Sequence, residues 1–365
     1  MKKFTRIKKP TLLLDQQKCL KNIWYMVAKA REHGLHFRPH FKTHQSAAIG
    51  EWFREEGVKA ITVSSVSMAE YFADHGWEDI TIAFPLNLRE LDEINRLATK
   101  IHLNLLLDSY QAASFLQHEL KAEAGVFIEI DTGSKRSGIK ASDLPGIEKI
   151  VETIIQSSKT RFRGFLTHAG HTYQAKSKTE VLKIHEDSLN PMRSLKNHFA
   201  GLNAVISIGD TPACSLAEDF SGADEIRPGN FVFYDLMQAD IGACSVEDVA
   251  VALACPVVAS YPQRSEAVIY GGAIHLSKDF MKLPDGKISF GRIAKLNHLG
   301  WEVLPEGNEI VSISQEHGIA KLQAGFFNDF STGGLLAVIP VHSCLTAQQQ
   351  KHYHTFENDF KAMME

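Results

Sequence analysis

Residues 102–130 read HLNLLLDSYQAASFLQHELKAEAGVFIEI. An apolar run, His102–Leu107, gives way to a polar turn and to a stretch of helical length, Tyr110–Leu120. A second apolar run, Gly125–Ile130, follows. Strand, helix and strand in that order, each bounded by polar or Gly residues, indicate a parallel βαβ unit.

The alternation continues on both sides of this stretch. Strand-like runs recur at Leu35–Arg38, Ala60–Ser64, Ile80–Phe84, Phe162–Thr167, Ala204–Ile208 and Glu225–Val232, which with the two above makes eight. Helices are expected at Ala47–Glu56, Ser67–His75, Leu88–Thr99, Leu144–Ile155 and Glu180–His198, with shorter ones at Ser215–Phe220 and near Met237–Val249. An earlier helix, Gln16–His33, ends at Gly34. Neither G-x-G-x-x-G nor G-x-x-x-x-G-K-[ST] occurs, so an open nucleotide-binding sheet is disfavoured. Eight units over about 210 residues fit a closed (β/α)8 TIM barrel.

From about residue 250 the texture changes. Val251–Ala259, Ser265–Tyr270, Lys287–Phe290, Ile293–Leu296, Ile310–Ser314 and Leu335–Pro340 read as short strands separated by Pro- and Gly-rich turns. The expected architecture is α/β: a barrel over 1–248 and a C-terminal, mostly antiparallel β domain over 249–365. The first few residues are candidates to pack on that β domain, and Gln348–Met363 is read as a helix or packed tail.

Composition narrows the class. The 365 residues carry 39 Lys+Arg against 43 Asp+Glu, a formal charge of −4, which gives no basic face for nucleic acid. No apolar run approaches the ~20 residues of a membrane span. The start, MKKFTRIKK, is followed only by Leu12-Leu13-Leu14, too short for a signal-peptide core. Five scattered cysteines without C-x-x-C suggest a reduced, cytoplasmic chain.

Chemistry in a barrel gathers at the C-terminal ends of the strands. Here those ends read Arg38-Pro39-His40-Phe41-Lys42-Thr43-His44, Asp131 to Gly138, Thr167-His168-Ala169-Gly170-His171-Thr172-Tyr173, Gly209-Asp210-Thr211-Pro212 and Arg227-Pro228-Gly229-Asn230. Strand ends are usually polar, but that alone does not account for such a density of His, Arg and Lys. Thr211 offers a hydroxyl, and Gly229 and Asn230 offer backbone N–H groups, where barrels often hold phosphate. Lys42 becomes a nucleophile if desolvation or neighbouring cations lower its pKa, and Arg38, His40 and His44 are the groups at hand. A phosphate-anchored aldehyde facing a lysine is how pyridoxal phosphate is held. In the second domain, His342 and Cys344 stand two apart on an extended segment and face the same way, an arrangement suited to sharing a Zn²⁺. His317 is a further candidate nearby.

The Arg38–His44 segment resembles the pyridoxal-phosphate lysine motif of D-threonine aldolases and eukaryotic-type D-serine dehydratases, which join an alanine-racemase-like barrel to a β domain. Thr167–Tyr173, Gly209–Pro212, Glu225–Asp235, Ser314–Gly318 and Pro340–Cys344 resemble that family too, in the same order. The resemblance implies that Lys42 binds the cofactor covalently and acts as the base. It also implies that Arg136, His168 and Tyr173 lie around the cofactor, and that Thr211, Gly229 and Asn230 hold its phosphate. His342 and Cys344 resemble the zinc pair of the dehydratases, whereas the aldolases show His-x-Asp there. Leu166, Asp210 and Arg227 depart from the dehydratase pattern: the family often has Tyr, Ser and no ring-nitrogen arginine at these places.

The implied reaction is zinc-assisted β-elimination from a D-3-hydroxy amino acid such as D-serine by a cytoplasmic homodimer. Retro-aldol cleavage and racemisation are the alternatives within this chemistry. A non-catalytic pyridoxal-phosphate carrier and a cofactor-free metal hydrolase are the alternatives outside it.

Overall fold

The computed structural model describes residue 4, residues 6–356 and residues 359–365. By packing, the chain divides into two compact units: Trp24–Gly229, and Met1–Ile23 together with Asn230–Glu365. Residues 230–248, which the apolar pattern groups with the barrel, belong to the second unit.

The first unit is an eight-stranded parallel barrel. After β1 (Thr11–Leu14), which belongs to the other unit, come β2 (His36–Phe37), β3 (Ala60–Val63), β4 (Asp79–Pro85), β5 (His102–Leu107) and β6 (Ala124–Asp131). A two-residue strand, β7 (Ile139–Lys140), sits beside the end of β6, and β8 (Thr160–Thr167), β9 (Val205–Ile208) and β10 (Glu225–Ile226) complete the series. The order is β2-β10-β9-β8-β6-β5-β4-β3, and the bridge between His40 and Thr62 brings the first strand segment back to β3. All eight strands coincide with the apolar runs of the sequence, although the last is shorter: Asn230–Val232 forms a turn of 3-10 helix instead.

Register places apolar side chains against one another: Ile61 opposite Ile80, Leu105 opposite Val126 and Phe165 opposite Ile206, all fully buried. Each such side chain contributes roughly 1.5–3 kcal/mol by leaving water. The strand-to-helix turns are fixed by side-chain caps. Ser65, Ser109, Asp143 and Ser177 accept from the amides of Met68, Ala112, Gly146 and Glu180 at 3.1–3.3 Å. Each cap is worth about 1 kcal/mol and starts its helix at a defined residue. The helix expected at Ser215–Phe220 lies at Thr211–Leu216 instead, because Asp210 caps it through the amide of Ala213.

The second unit is a mostly antiparallel sheet built from β11 (Val251–Tyr261), β12 (Glu266–Tyr270), β15 (Gly291–Leu296), β16 (Trp301–Val303), β17 (Glu309–Ile313), β18 (His317–Lys321) and β19 (Leu335–Pro340), with β13 (Met281–Lys282) and β14 (Ile288–Ser289) as a separate two-stranded hairpin. The long β11 pairs with β19 along one half and with β12 along the other, so β11, β12, β18, β17, β15 and β19 close into a ring. β1 adds to β11, with Leu12 opposite Leu253. The tail is not the helix expected over 348–363. A helix covers Ser343–Gln350, and β20 (His352–Thr355) and β21 (Phe360–Ala362) then extend the sheet from β1. Alternation of buried Tyr353 and Thr355 with exposed His352 and His354 explains why this segment pairs as a strand.

Candidate active site and metal pair

Lys42 lies in the loop that leaves β2. Its neighbours Phe41, Thr43 and His44 are fully buried, while Lys42 itself is exposed. Gln45 adopts the left-handed backbone conformation (φ 45°), and its side chain returns to donate to the Lys42 carbonyl at 3.0 Å. A non-Gly residue held this way is a strained position that the surroundings must impose.

The groups expected to lower the Lys42 pKa turn out to carry other duties. The Arg38 guanidinium donates to Glu225 at 2.7 Å and to Asp79 at 2.6 Å, so two carboxylates neutralise its charge. Burial holds His44 at about 3, packed against Phe41 and Phe53. His40 is likewise held far below the ordinary imidazole range, by burial first and then by the positive charges of Lys42 and Arg227. The cations that actually share this neighbourhood with Lys42 are Arg227 and Arg136.

His168 completes the cluster. Its Nδ1 donates to the Gly209 carbonyl, which leaves Nε2 as the nitrogen with a free lone pair. Burial, reinforced by Lys42, Arg136 and Arg227, brings its pKa to about 3, so the ring is neutral. Tyr173 stands with its ring centroid 6.2 Å from that of His168, and its hydroxyl accepts from the Thr211 amide at 3.2 Å. Arg136 is mostly exposed, 3.9 Å from Glu129.

Arg227 is fully buried. Its Nε donates to Ser207 Oγ at 2.6 Å and its Nη2 to the Thr167 carbonyl at 2.7 Å. Ser207 in turn donates to Glu225 at 2.6 Å. Burial lowers Arg227 to about 10 against the pull of Glu225, so the guanidinium stays charged at neutral pH. Sequence reasoning named Arg227 but missed the Arg38–Glu225–Ser207 chain that fixes it. The signal was present: Glu225 and Arg227 are two apart on one strand, and Ser207 interrupts an otherwise apolar one.

Two glycines shape the same end of the barrel. A Cβ on Gly229 would lie 2.8 Å from the His40 carbonyl oxygen, and one on Gly209 would lie 2.9 Å from Arg227 Cβ. Thr211 is buried beside them. Asp210, whose charge would repel a phosphate if it faced one, is turned inward. It accepts from Thr172 Oγ1 at 2.9 Å and from the Ala213 amide at 2.8 Å. Leu166 packs with Leu106 and Phe127 in the barrel core. Lysine, two arginines, backbone amides and a crowded glycine form a donor set that fits an aldehyde bearing a dianionic phosphate.

The second unit holds the other predicted pair. His342 and Cys344 flank Ser343, and Cys344 lies within hydrogen-bonding reach of the His342 ring. His342 Nδ1 is 2.6 Å from Asp279 Oδ2. Burial opposes a charge on this imidazole, but Cys344, Asp235 and Asp279 outweigh it and push His342 up to about 10. The Asn230 side chain donates to Asp235 at 2.7 Å, to Ser343 at 3.1 Å and to Cys344 Sγ at 3.5 Å. Its amide therefore supports the His–Cys segment. Among the described residues no group of three or more His, Cys, Asp and Glu is arranged to hold a metal. An imidazole and a thiol fit a metal such as Zn²⁺ as two donors, with water or substrate completing the shell. His317 opens β18 and pairs with Tyr270.

Residues 14–236 match the alanine racemase N-terminal domain and residues 250–356 match a putative serine dehydratase domain. A D-serine dehydratase from Dictyostelium discoideum is 30% identical over 95% of this chain and 93% of its own. The chain belongs to the D-serine dehydratase family. Membership makes it a pyridoxal-phosphate-dependent lyase on an alanine-racemase-like fold. Another member, the D-threo-3-hydroxyaspartate dehydratase of Delftia sp. (strain HT23), is 30% identical over 96% of this chain and 94% of its own. Its solved structure superposes with a TM-score of 0.90, covering 99% of this chain and 98% of that one at 28% identity. Solved forms of a D-threo-3-hydroxyaspartate dehydratase include a histidine-to-alanine mutant and, two positions further along, a cysteine-to-alanine mutant in the metal-free form. Among the described residues no helix is long and apolar enough to cross a membrane.

Proposed function

We propose that this chain eliminates water from a D-3-hydroxy amino acid such as D-serine, giving an enamine whose imine form takes up water to yield a keto acid and ammonia. The observation that carries the reading is the pairing of a His–Cys donor set, His342 with Cys344, with a lysine-centred cation cluster in the same dehydratase-family chain. Bound pyridoxal phosphate supplies an electron sink for the charge left on Cα when its proton departs. Bound Zn²⁺ supplies Lewis acidity to the β-hydroxyl, a poor leaving group on its own.

Lys42 Nζ would hold the cofactor and is the base placed to take the α-proton. Thr211 and the backbone amide of Gly229 would hold the phosphate, with Tyr173 beside Thr211. Arg227, anchored by Ser207 and Thr167, would hold a fixed positive charge near the cofactor. Neutral His168 lines the site without adding to that charge. Arg136 stands at the exposed rim. His342 and Cys344 hold the metal. Family resemblance further supports a cytoplasmic homodimer.

Product analysis tests this reading. Incubation with D-serine, D-threonine and D-3-hydroxyaspartate, with and without Zn²⁺, is expected to yield keto acid and ammonia only when metal is supplied. Glycine plus an aldehyde would replace the proposal with retro-aldol cleavage. Conversion to the L-amino acid, unaffected by chelation, would replace it with racemisation.

A further inference from the structure

We propose that Asp279 is the positioning residue that presents His342 to the metal through Nε2. The inference rests on the reading of His342 and Cys344 as the metal pair. An ionised carboxylate only accepts hydrogen bonds, so the 2.6 Å contact of Asp279 Oδ2 with His342 Nδ1 requires the proton on Nδ1. In a neutral imidazole the lone pair is then on Nε2. A metal-binding histidine needs this choice of tautomer, and a second carboxylate on the far nitrogen also makes the ring a better donor.

Two features separate this contact from a chance surface ion pair, whose worth is close to nothing. Asp279 and His342 are 63 residues apart, yet a buried hydroxyl ties their segments together. Thr346 Oγ1 lies 3.1 Å from the His342 carbonyl and 3.2 Å from the Leu276 carbonyl. Asp279 itself is set by a constrained turn. Ser277 has φ 77°, its amide closes on Ala273, and its hydroxyl accepts from the Asp279 amide at 3.1 Å. A non-Gly residue in that conformation is expensive to keep, and here it aims a carboxylate at one ring nitrogen.

Zinc affinity, measured by chelator competition on the full-length, cofactor-loaded protein, separates the possibilities. Asp279→Ala is expected to bind zinc roughly 10- to 100-fold more weakly, with thermal midpoint and cofactor absorbance retained. Asp279→Asn keeps an acceptor oxygen opposite Nδ1 and is expected to recover part of that loss, which a purely structural role would not produce. Zinc affinity in Asp279→Ala equal to that of the unaltered chain overturns the inference while leaving the metal pair in place. If the unaltered chain takes up no zinc, or His342→Ala binds it equally well, the metal-pair reading itself fails. Should Asp279→Ala not fold, Asp279→Leu takes its place: zinc bound more than twofold more weakly than by the unaltered chain supports the tautomer role, and affinity within twofold overturns it.

Discussion

Two histidines of this chain, His168 and His342, meet opposite environments. His168 sits among Lys42, Arg136 and Arg227, and is held neutral down to about pH 3. His342 sits among Asp235, Asp279 and Cys344, which push it up to about 10 despite its burial. The residue type is the same and the surroundings reverse its charge. A pocket that collects cations is ready for an anion, and a cluster that collects anions is ready for a cation. This contrast supports the proposal that the barrel end takes the phosphate-bearing cofactor and the β unit the metal.

The contrast breaks most sharply if the two sites do not lose their ligands independently. Lys42→Ala is expected to abolish the borohydride-trappable visible absorbance and to lower turnover by at least ~10²-fold, with zinc content unchanged. Cys344→Ala is expected to do the converse, losing zinc while keeping the absorbance. Absorbance and metal analysis on the same preparations decide it. Loss of both ligands in either variant would mean that the two clusters do not work as separate binding sites.

The two regions also differ in how much of them the sequence discloses. The eight barrel strands are legible because strands such as Leu103–Leu107 and Val126–Ile130 are apolar almost throughout, and their helices begin at recognisable Ser and Asp caps. In the β unit long apolar strands such as Val251–Tyr261 and Leu335–Pro340 are equally legible, but Thr11–Leu14, Trp301–Val303, His317–Lys321 and His352–Thr355 are not. Thr11–Leu14 and His352–Thr355 pair with each other across the length of the chain, which no local pattern announces. The candidate site follows the same rule. Lys42, His342 and Cys344 stand out in local motifs that resemble a known family. The groups that set their neighbours, Glu225 for Arg38 and Asp279 for His342, are 187 and 63 residues distant, so no local pattern announces the pairing. Even the direction of Asp210 was open until its role as a helix cap was visible, since a carboxylate beside a phosphate site reads as repulsive from sequence alone.

A smaller effect tests whether the barrel cluster depends on its buried frame. Arg38 and Glu225 are each almost wholly buried, and their ion pair leads through Ser207 to Arg227. Arg38→Met removes one partner and leaves a carboxylate in the barrel interior, at an expected cost of about 3–5 kcal/mol in chemical denaturation. The double replacement Arg38→Met with Glu225→Gln is expected to recover much of that loss, because the uncompensated charge is gone. If the single variant is as stable as the unaltered chain, the frame does not hold Arg227 in the way its hydrogen bonds imply.

The smallest effect is on the pH dependence of stability. His44 is buried against Phe41 and Phe53 and stays neutral to about pH 3, because burial opposes the charge. In the unfolded chain the same ring takes up a proton near its ordinary value of 6.5. Between these two values the unfolded state binds more protons than the native one, so stability falls as pH falls, by about 1.4 kcal/mol per pH unit for one histidine. The stabilisation is complete above pH 6.5 and is lost progressively towards pH 3. His168 behaves the same way, while His342, raised above 6.5, contributes nothing to this acid loss. His44→Phe preserves the aromatic packing and removes one titrating group. Its denaturation free energy is expected to fall less steeply with acid than that of the unaltered chain, by up to about one proton's worth of slope. His342→Phe is expected to leave the acid slope between pH 6.5 and 3 unaltered. An equal change in slope for both variants would show that the barrel and the β unit do not hold their histidines in opposite charge states after all.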